Sequence, residues 1–158
     1  MRRNIKRLLC LILTLVMVLC LCPMANAAPS ELQFSDALVT FIENGEGFRA
    51  MPYGGAGGWY IGYGCSCDPA AYPNGITESE AEALLRERME TFAGSVRSFL
   101  TRYGASVTQQ QFDAMCAMSY ALGPAWLSAS NRLPSYIIDG ADQHTAAEIA
   151  SAFAAWCH

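Results

Sequence analysis

Beyond residue 27 this chain is short of positive charge. Four of its ten Lys and Arg lie before that point and none of its fourteen Asp and Glu does, which leaves six bases, fourteen acids and a formal charge of −8. No segment interleaves basic with aromatic residues, so nucleic-acid binding, which leans on clustered Lys and Arg, is not expected. Histidine is scarce too, with two in the chain. Cys65, Cys67, Cys157 and His158 do not fall at familiar zinc-ligand spacings, since C-x-C and a terminal Cys-His pair are weak signatures; no metal and no cofactor is expected. The glycines Gly54, Gly55, Gly57 and Gly58 lack a following Lys-Ser/Thr and a dinucleotide fingerprint, which excludes a phosphate cradle. There is no internal repeat and no low-complexity tract.

The one long apolar run, Leu8 to Cys22, is shorter than the roughly 20 residues that span a bilayer comfortably. It follows the basic residues Arg2, Arg3, Lys6 and Arg7 and is broken by Pro23. Ala25-Asn26-Ala27 then gives the small-x-small pattern that signal peptidase reads. Residues 1–27 are therefore expected to be a signal peptide cleaved near Ala27, with a secreted product and no stable membrane anchor. Cys20 and Cys22 each follow Leu rather than a small residue, which argues against lipidation. Cleavage leaves 131 residues, enough for one compact, monomeric domain with a real core. It also leaves four cysteines, Cys65, Cys67, Cys116 and Cys157. In an exported protein an even number suggests disulfides, and bridges from Cys65 or Cys67 to Cys116 or Cys157 are the set to consider.

Residues 28–34 read as a short leader and 35–158 as the folded domain. Leu38, Phe41 and Ile42 recur at helical spacing after Ser35 or Asp36, which suit an N-cap, and Asn44-Gly45 predicts the helix end. Glu46 then falls at a helix-to-strand corner. Phe48–Tyr53 and Trp59–Tyr63 flank the glycine-rich turn as a β-hairpin, and Cys65 to Gly75 reads as loop. Three capping boxes announce helices: Thr77 with Glu80, Thr108 with Gln111, and Thr145 with Glu148. They predict helices over 78–103 and 109–122 and one starting at Ala146, with an irregular helix over 132–138. The long helix carries an apolar stripe of Ala81, Leu84, Leu85, Met89, Phe92 and Val96. The fold class is α+β.

A carboxyl group at such a corner, partly shielded from water, can hold a proton and deliver it to a leaving sugar oxygen. Tyr53, Trp59, Tyr60 and Tyr63 offer apolar faces and polar tips to sugar rings. Glu46-Gly47-Phe48-Arg49, then Tyr53, then Trp59-Tyr60-Ile61-Gly62-Tyr63-Gly64 resemble the active-site stretch of phage-type (T4-type) lysozymes, glycoside hydrolase family 24. Gly75-Ile76-Thr77 with Glu80-Ala81 and Leu84-Leu85 looks like that family's entry into its long inter-lobe helix. Thr108 to Ala114 and Tyr120-Ala121-Leu122-Gly123 resemble the first helix of its C-terminal lobe, and Trp156 matches a late Trp. The similarity extends over nearly all of residues 35–158.

The resemblance implies a lysozyme-like fold, with a small β-hairpin lobe joined by a long helix to a mostly helical lobe. It also implies a muramidase acting on the glycan strands of bacterial peptidoglycan, with Glu46 as the catalytic acid. The family's second carboxylate falls on Gly55 and its hydroxyl residue on Tyr60, so neither carries over, and Cys65 stands where His is frequent. An inverting mechanism needs a base or water-positioning group opposite the acid. Tyr60, Asp68 and Arg49 are the auxiliary candidates, Glu43 is a further nearby carboxylate, and Tyr53, Trp59 and Tyr63 are the substrate-binding candidates. The rival reading is a catalytically degenerate module that binds peptidoglycan through a lysozyme fold. The family usually continues with another helical segment beyond the position of His158, so the resemblance leaves two readings of the C-terminus, a natively short chain or a fragment.

Overall fold

A computed structural model describes residues 28–55, 57–140 and 143–156. The expected signal peptide, Cys157 and His158 lie outside these residues. In chain order the elements are a 3-10 turn at Pro29–Glu31, α1 (Asp36–Glu46), β1 (Tyr53–Gly55), β2 (Gly58–Ile61), β3 (Cys65–Ser66), a 3-10 turn at Pro69–Ala71, α2 (Glu78–Tyr103), α3 (Gln109–Leu122), a 3-10 turn at Pro124–Trp126, α4 (Arg132–Asp139) and α5 (Ala146–Ala154). The class is α+β. Two compact units emerge, one formed by residues 36–91, the other by the leader through Ser35 together with everything from Phe92 onward. Among the described residues no helix is long and apolar enough to cross a membrane.

The sheet unit is built on α1, the three strands and the first half of α2. The strands run antiparallel in the order β1-β2-β3, with Tyr53 opposite Tyr60, Gly55 opposite Gly58, and Ile61 opposite Cys65. The third strand is a departure from the loop expected after Cys65. Its two residues carry no period of their own, and only pairing to β2 makes them a strand. Val39, Ile42, Ile61, Leu85 and Met89 are all buried to 2% exposure or less, so the apolar stripe of α2 is used as its period predicts.

The turn into α2 is held by a close approach. Gly75 has φ +76°, and a Cβ there would lie 2.5 Å from the Ala50 carbonyl oxygen and 2.8 Å from Met51 Sδ. That carbonyl cannot swing away freely, because it accepts the Ile76 N–H at 2.9 Å. Gly75→Ala combines left-handed backbone strain with a clash against fixed backbone. It is expected to lower stability by about 2–3 kcal/mol, read as a reduced denaturant midpoint with an unchanged slope.

The helical unit centres on α3. From Ala114 to Ser119 every residue is buried, so this stretch of the helix is covered on all sides. Tyr120, which follows this run, is half-buried. The leader is strapped to this unit. Arg97 Nη1 donates to Leu32 O at 3.0 Å and Gln109 Nε2 to Gln33 O at 2.6 Å. The Asp113 carboxylate accepts both the Ser35 N–H, at 3.0 Å, and the Ser35 hydroxyl, at 2.6 Å.

All three capping boxes form. The Thr77 N–H and hydroxyl both donate to Glu80 Oε2 at 2.8 Å, while Glu80 N–H donates to Thr77 Oγ1 at 3.3 Å. The Thr108–Gln111 and Thr145–Glu148 boxes close reciprocally. Bonds from the Thr77 backbone and then its hydroxyl hold the Glu80 carboxyl below its usual range, and bonds from Thr145, hydroxyl first, do the same for Glu148. A folded-state value below the unfolded one means stability that is present above the unfolded pKa and lost as pH falls through the folded one. The starts of α2 and α5 should therefore fray as pH drops below the ordinary glutamate range. Glu80→Gln and Glu148→Gln, which keep the bonds but not the charge, should flatten that acid limb in pH-dependent thermal melts.

Candidate active site

Glu46 is the last residue of α1, and the helix runs one turn-step further than Asn44-Gly45 implied. The true cap is Gly47, with φ +72°, whose N–H closes onto Glu43 O at 3.0 Å. Asn44-Gly45 looked like the end because both residue types favour caps, but only Gly47 adopts the left-handed turn. Glu46 therefore lies in the final turn of the helix rather than beyond it. There it is exposed, not shielded as its position in the sequence suggested.

The chain then enters the sheet directly. Arg49 N–H donates to Gly62 O at 3.1 Å and Gly62 N–H returns to Arg49 O at 2.9 Å, so the segment after Glu46 is clamped to the end of β2. Alternation places Tyr53, Gly55, Tyr60 and Ser66 on one sheet face, and Gly54, Trp59, Ile61 and Cys65 on the other.

The first face carries a stack of three side chains. The Arg49 guanidinium lies over the Tyr53 ring at 4.4 Å from its centroid, and Tyr53 lies beside Tyr60 with centroids 6.0 Å apart and planes tilted by 34°. Arg49 thus acts through the aromatic face of Tyr53, a partner that sequence reasoning missed. Cation–π contact of an exposed Arg contributes on the order of 0.5–1 kcal/mol and holds the ring orientation. Tyr60 extends its phenol to the hairpin turn, where a Cβ on Gly57 would sit 3.3 Å from its hydroxyl. Gly55, at the position where a second carboxylate was expected, adds no side chain to this face.

The remaining candidates separate. Trp59 projects from the opposite face and is 48% exposed, whereas Tyr63 is 9% exposed and packs on Phe48 with ring centroids 5.9 Å apart. Burial, and then the charges of Glu43, Glu78 and Glu82, push the Tyr63 phenol up, so it stays neutral and serves as a packing residue. Asp68 is exposed and caps the 3-10 turn, its Oδ1 accepting the Ala70 N–H at 3.0 Å. That local bond accounts for an aspartate before Pro69 without any chemistry. Cys67 N–H donates to Trp59 O at 3.0 Å, extending the ladder beyond β3, and burial followed by the Asp68 charge raises its thiol. Among the described residues no group of three or more His, Cys, Asp or Glu is gathered to hold a metal ion.

Comparison with known proteins places this geometry. Residues 43–158 match the family model described as phage lysozyme, a span that begins just before Glu46 and includes the whole sheet. The chain is similar to the endolysin of Bacillus phage PZA, 31% identical over 120 residues, covering 74% of this chain and 45% of that protein. It is similar to the endolysin of Bacillus phage B103 at 32% identity, covering 74% of this chain and 44% of that one. The endolysin of Acyrthosiphon pisum secondary endosymbiont phage 1 is 29% identical over 103 residues, with 65% and 68% covered. The chain spans less than half the length of the two Bacillus phage relatives. No solved structure matches it. With Glu46, the sheet and the helices α2 to α5 all inside the matched span, the chain belongs to the phage lysozyme family.

Proposed function

We propose that this protein is a secreted lysozyme that hydrolyses the β-1,4 bond between N-acetylmuramic acid and N-acetylglucosamine in bacterial peptidoglycan. One observation carries the reading: Glu46 stands exposed on the last turn of α1, three residues ahead of the backbone clamp that opens the Tyr53–Tyr60 sheet face. Family membership and the endolysin names of the relatives support it. Glu46 delivers its proton to the leaving glycosidic oxygen as water adds to the anomeric carbon from the other side, creating a new reducing end. Because the carboxyl group is exposed, the bound glycan strand itself supplies the shielding. Tyr53 offers a ring to sugars on that face and Trp59 an exposed ring on the opposite one, and the Tyr60 hydroxyl at the hairpin turn orients the water. Residues 1–27 direct export, so the enzyme meets its substrate outside the cytoplasm.

One observation favours the rival reading of a peptidoglycan-binding module: Gly55 leaves the expected second carboxylate missing from that face. Incubation with purified peptidoglycan separates the two. The enzyme reading requires new reducing ends in step with protein concentration; pelleting on the walls without such release would leave the binder. Gly55→Asp restores a carboxylate to the Tyr53–Tyr60 face and is expected to raise the rate of release. No gain would mean that the water is managed from elsewhere.

A further inference from the structure

The helical unit contains a concavity that the chemistry at Glu46 does not use. Ser95, Ser98, Phe99 and Arg102 follow one another at helical spacing along the last turns of α2, with Tyr103 beside them, and Pro124 and Leu127 close the opposite wall. The cavity measures about 210 Å³. That is below the ~300–1,000 Å³ of sites for drug-sized ligands, so it suits a single sugar or a very short peptide.

Both walls are fixed in advance. Phe99 is buried and lies 5.2 Å from the Tyr103 ring, which is 41% exposed at the mouth. On the other side the Leu127 N–H closes on Pro124 O at 3.0 Å. Between them Trp126 is pinned from two directions, its Nε1 donating to Ser119 Oγ at 3.0 Å and its carbonyl accepting Asn131 Nδ2 at 3.0 Å. A wall held this way is not a gap awaiting collapse.

Arg102 gives the cavity its chemistry. All six bases after residue 27 are arginines, and most are engaged. Arg49 stacks on Tyr53, Arg86 pairs with Asp36 and Glu82, Arg97 binds Leu32 O, and Arg132 binds the Tyr136 hydroxyl. Arg102 makes no hydrogen bond or ion pair among the described residues. Its place in the last turn of α2 suits a positive charge but uses none of its five fork-like donors.

We infer that the Ser98–Arg102–Leu127 cavity is a binding site for a small organic monocarboxylate, its carboxylate held by the Arg102 fork and its apolar or ring-shaped body lying on Tyr103, Pro124 and Leu127. The lone cation neutralises one charge, and the apolar walls need a body to cover them. The formal charge of −8 on the chain beyond residue 27 works against polyanions such as phosphate chains. A peptide C-terminus and a sugar acid share this chemistry. The site is independent of hydrolysis at Glu46.

The test uses the intact protein and five probes, inorganic phosphate among them, in NMR titrations that follow the backbone amides of Phe99, Arg102 and Leu127. N-acetyl-alanyl-alanine stands for the peptide acid and its C-terminal amide is the neutral partner; glucuronate stands for the sugar acid and glucose is its partner. Saturable shifts with one or both acids, absent with the neutral partners, are expected, and the acid that saturates identifies the source. Arg102→Met should weaken that binding roughly tenfold or more, and Arg102→Lys should lose part of it, as a point charge replaces the fork. Glu46→Gln should leave it unchanged, so loss of hydrolysis and loss of this site are read separately. Equal binding of acid and amide, stronger binding of inorganic phosphate, or no saturable shift with either acid would overturn the assignment.

Discussion

Glu46→Gln is expected to cut the release of reducing ends from peptidoglycan by about 10²–10⁴-fold, the range supplied by a positioned general acid. The amide keeps the size and polarity of the side chain but has no proton to give at the leaving oxygen. Because Glu46 is exposed on the final turn of α1, the substitution should change stability by no more than about 0.5 kcal/mol. The expected signature is thus a large fall in rate with an unmoved melting curve and retained pelleting on cell walls. A variant that still releases reducing ends at the parental rate would remove Glu46 from the mechanism.

Trp126→Ala carries the largest expected cost in stability, about 3–5 kcal/mol for emptying a well-packed aromatic site. Trp126 is 1% exposed, and its indole N–H donates to Ser119 Oγ, which itself donates to Met115 O at 2.9 Å. Removal leaves a void beside α3 and withdraws the donor from a serine that is fully buried. Trp126→Phe separates the two effects: it keeps most of the volume and should cost about 1–3 kcal/mol, chiefly for the missing donor. Chemical denaturation followed by far-UV circular dichroism measures both. An alanine variant as stable as the parent would mean that the site closes up without loss, contrary to its pinned walls.

Much of the framework was legible because local chemistry dictates it. Thr77, Thr108 and Thr145 each have Glu or Gln three residues on, a pattern that satisfies helix-start N–H groups in almost any tertiary setting. The starts of α2, α3 and α5 follow from it. What was illegible depends on pairing across the chain. Cys65-Ser66 becomes a strand only against Tyr60-Ile61, and Tyr63 becomes a core residue with Phe48 packed against it. Asn44-Gly45 and Gly47 compete for the same cap, and local preference does not decide between them. At the site, resemblance picked out Glu46, Gly55 and Tyr60, whereas the Arg49–Tyr53 stack needed coordinates. Asp68 shows the converse: a carboxylate near the strand in sequence is occupied by the turn it caps. The Arg102 cavity had no signature, since Pro124 and Leu127 meet α2 only in the folded unit.

The strapped leader has a consequence for how the molecule is assembled. Ser35 and Asp113 are separated by 78 positions, yet they belong to one unit, while everything needed for the sheet unit lies in the continuous stretch 36–91. A chain emerging N-terminus first can complete the sheet unit from local material. The helical unit must wait with its straps to Gln33 and Ser35 unfastened until α3 has appeared. The protein therefore has a built-in order of completion, in which the part bearing Glu46 can be finished before the part that anchors Gln33 and Ser35.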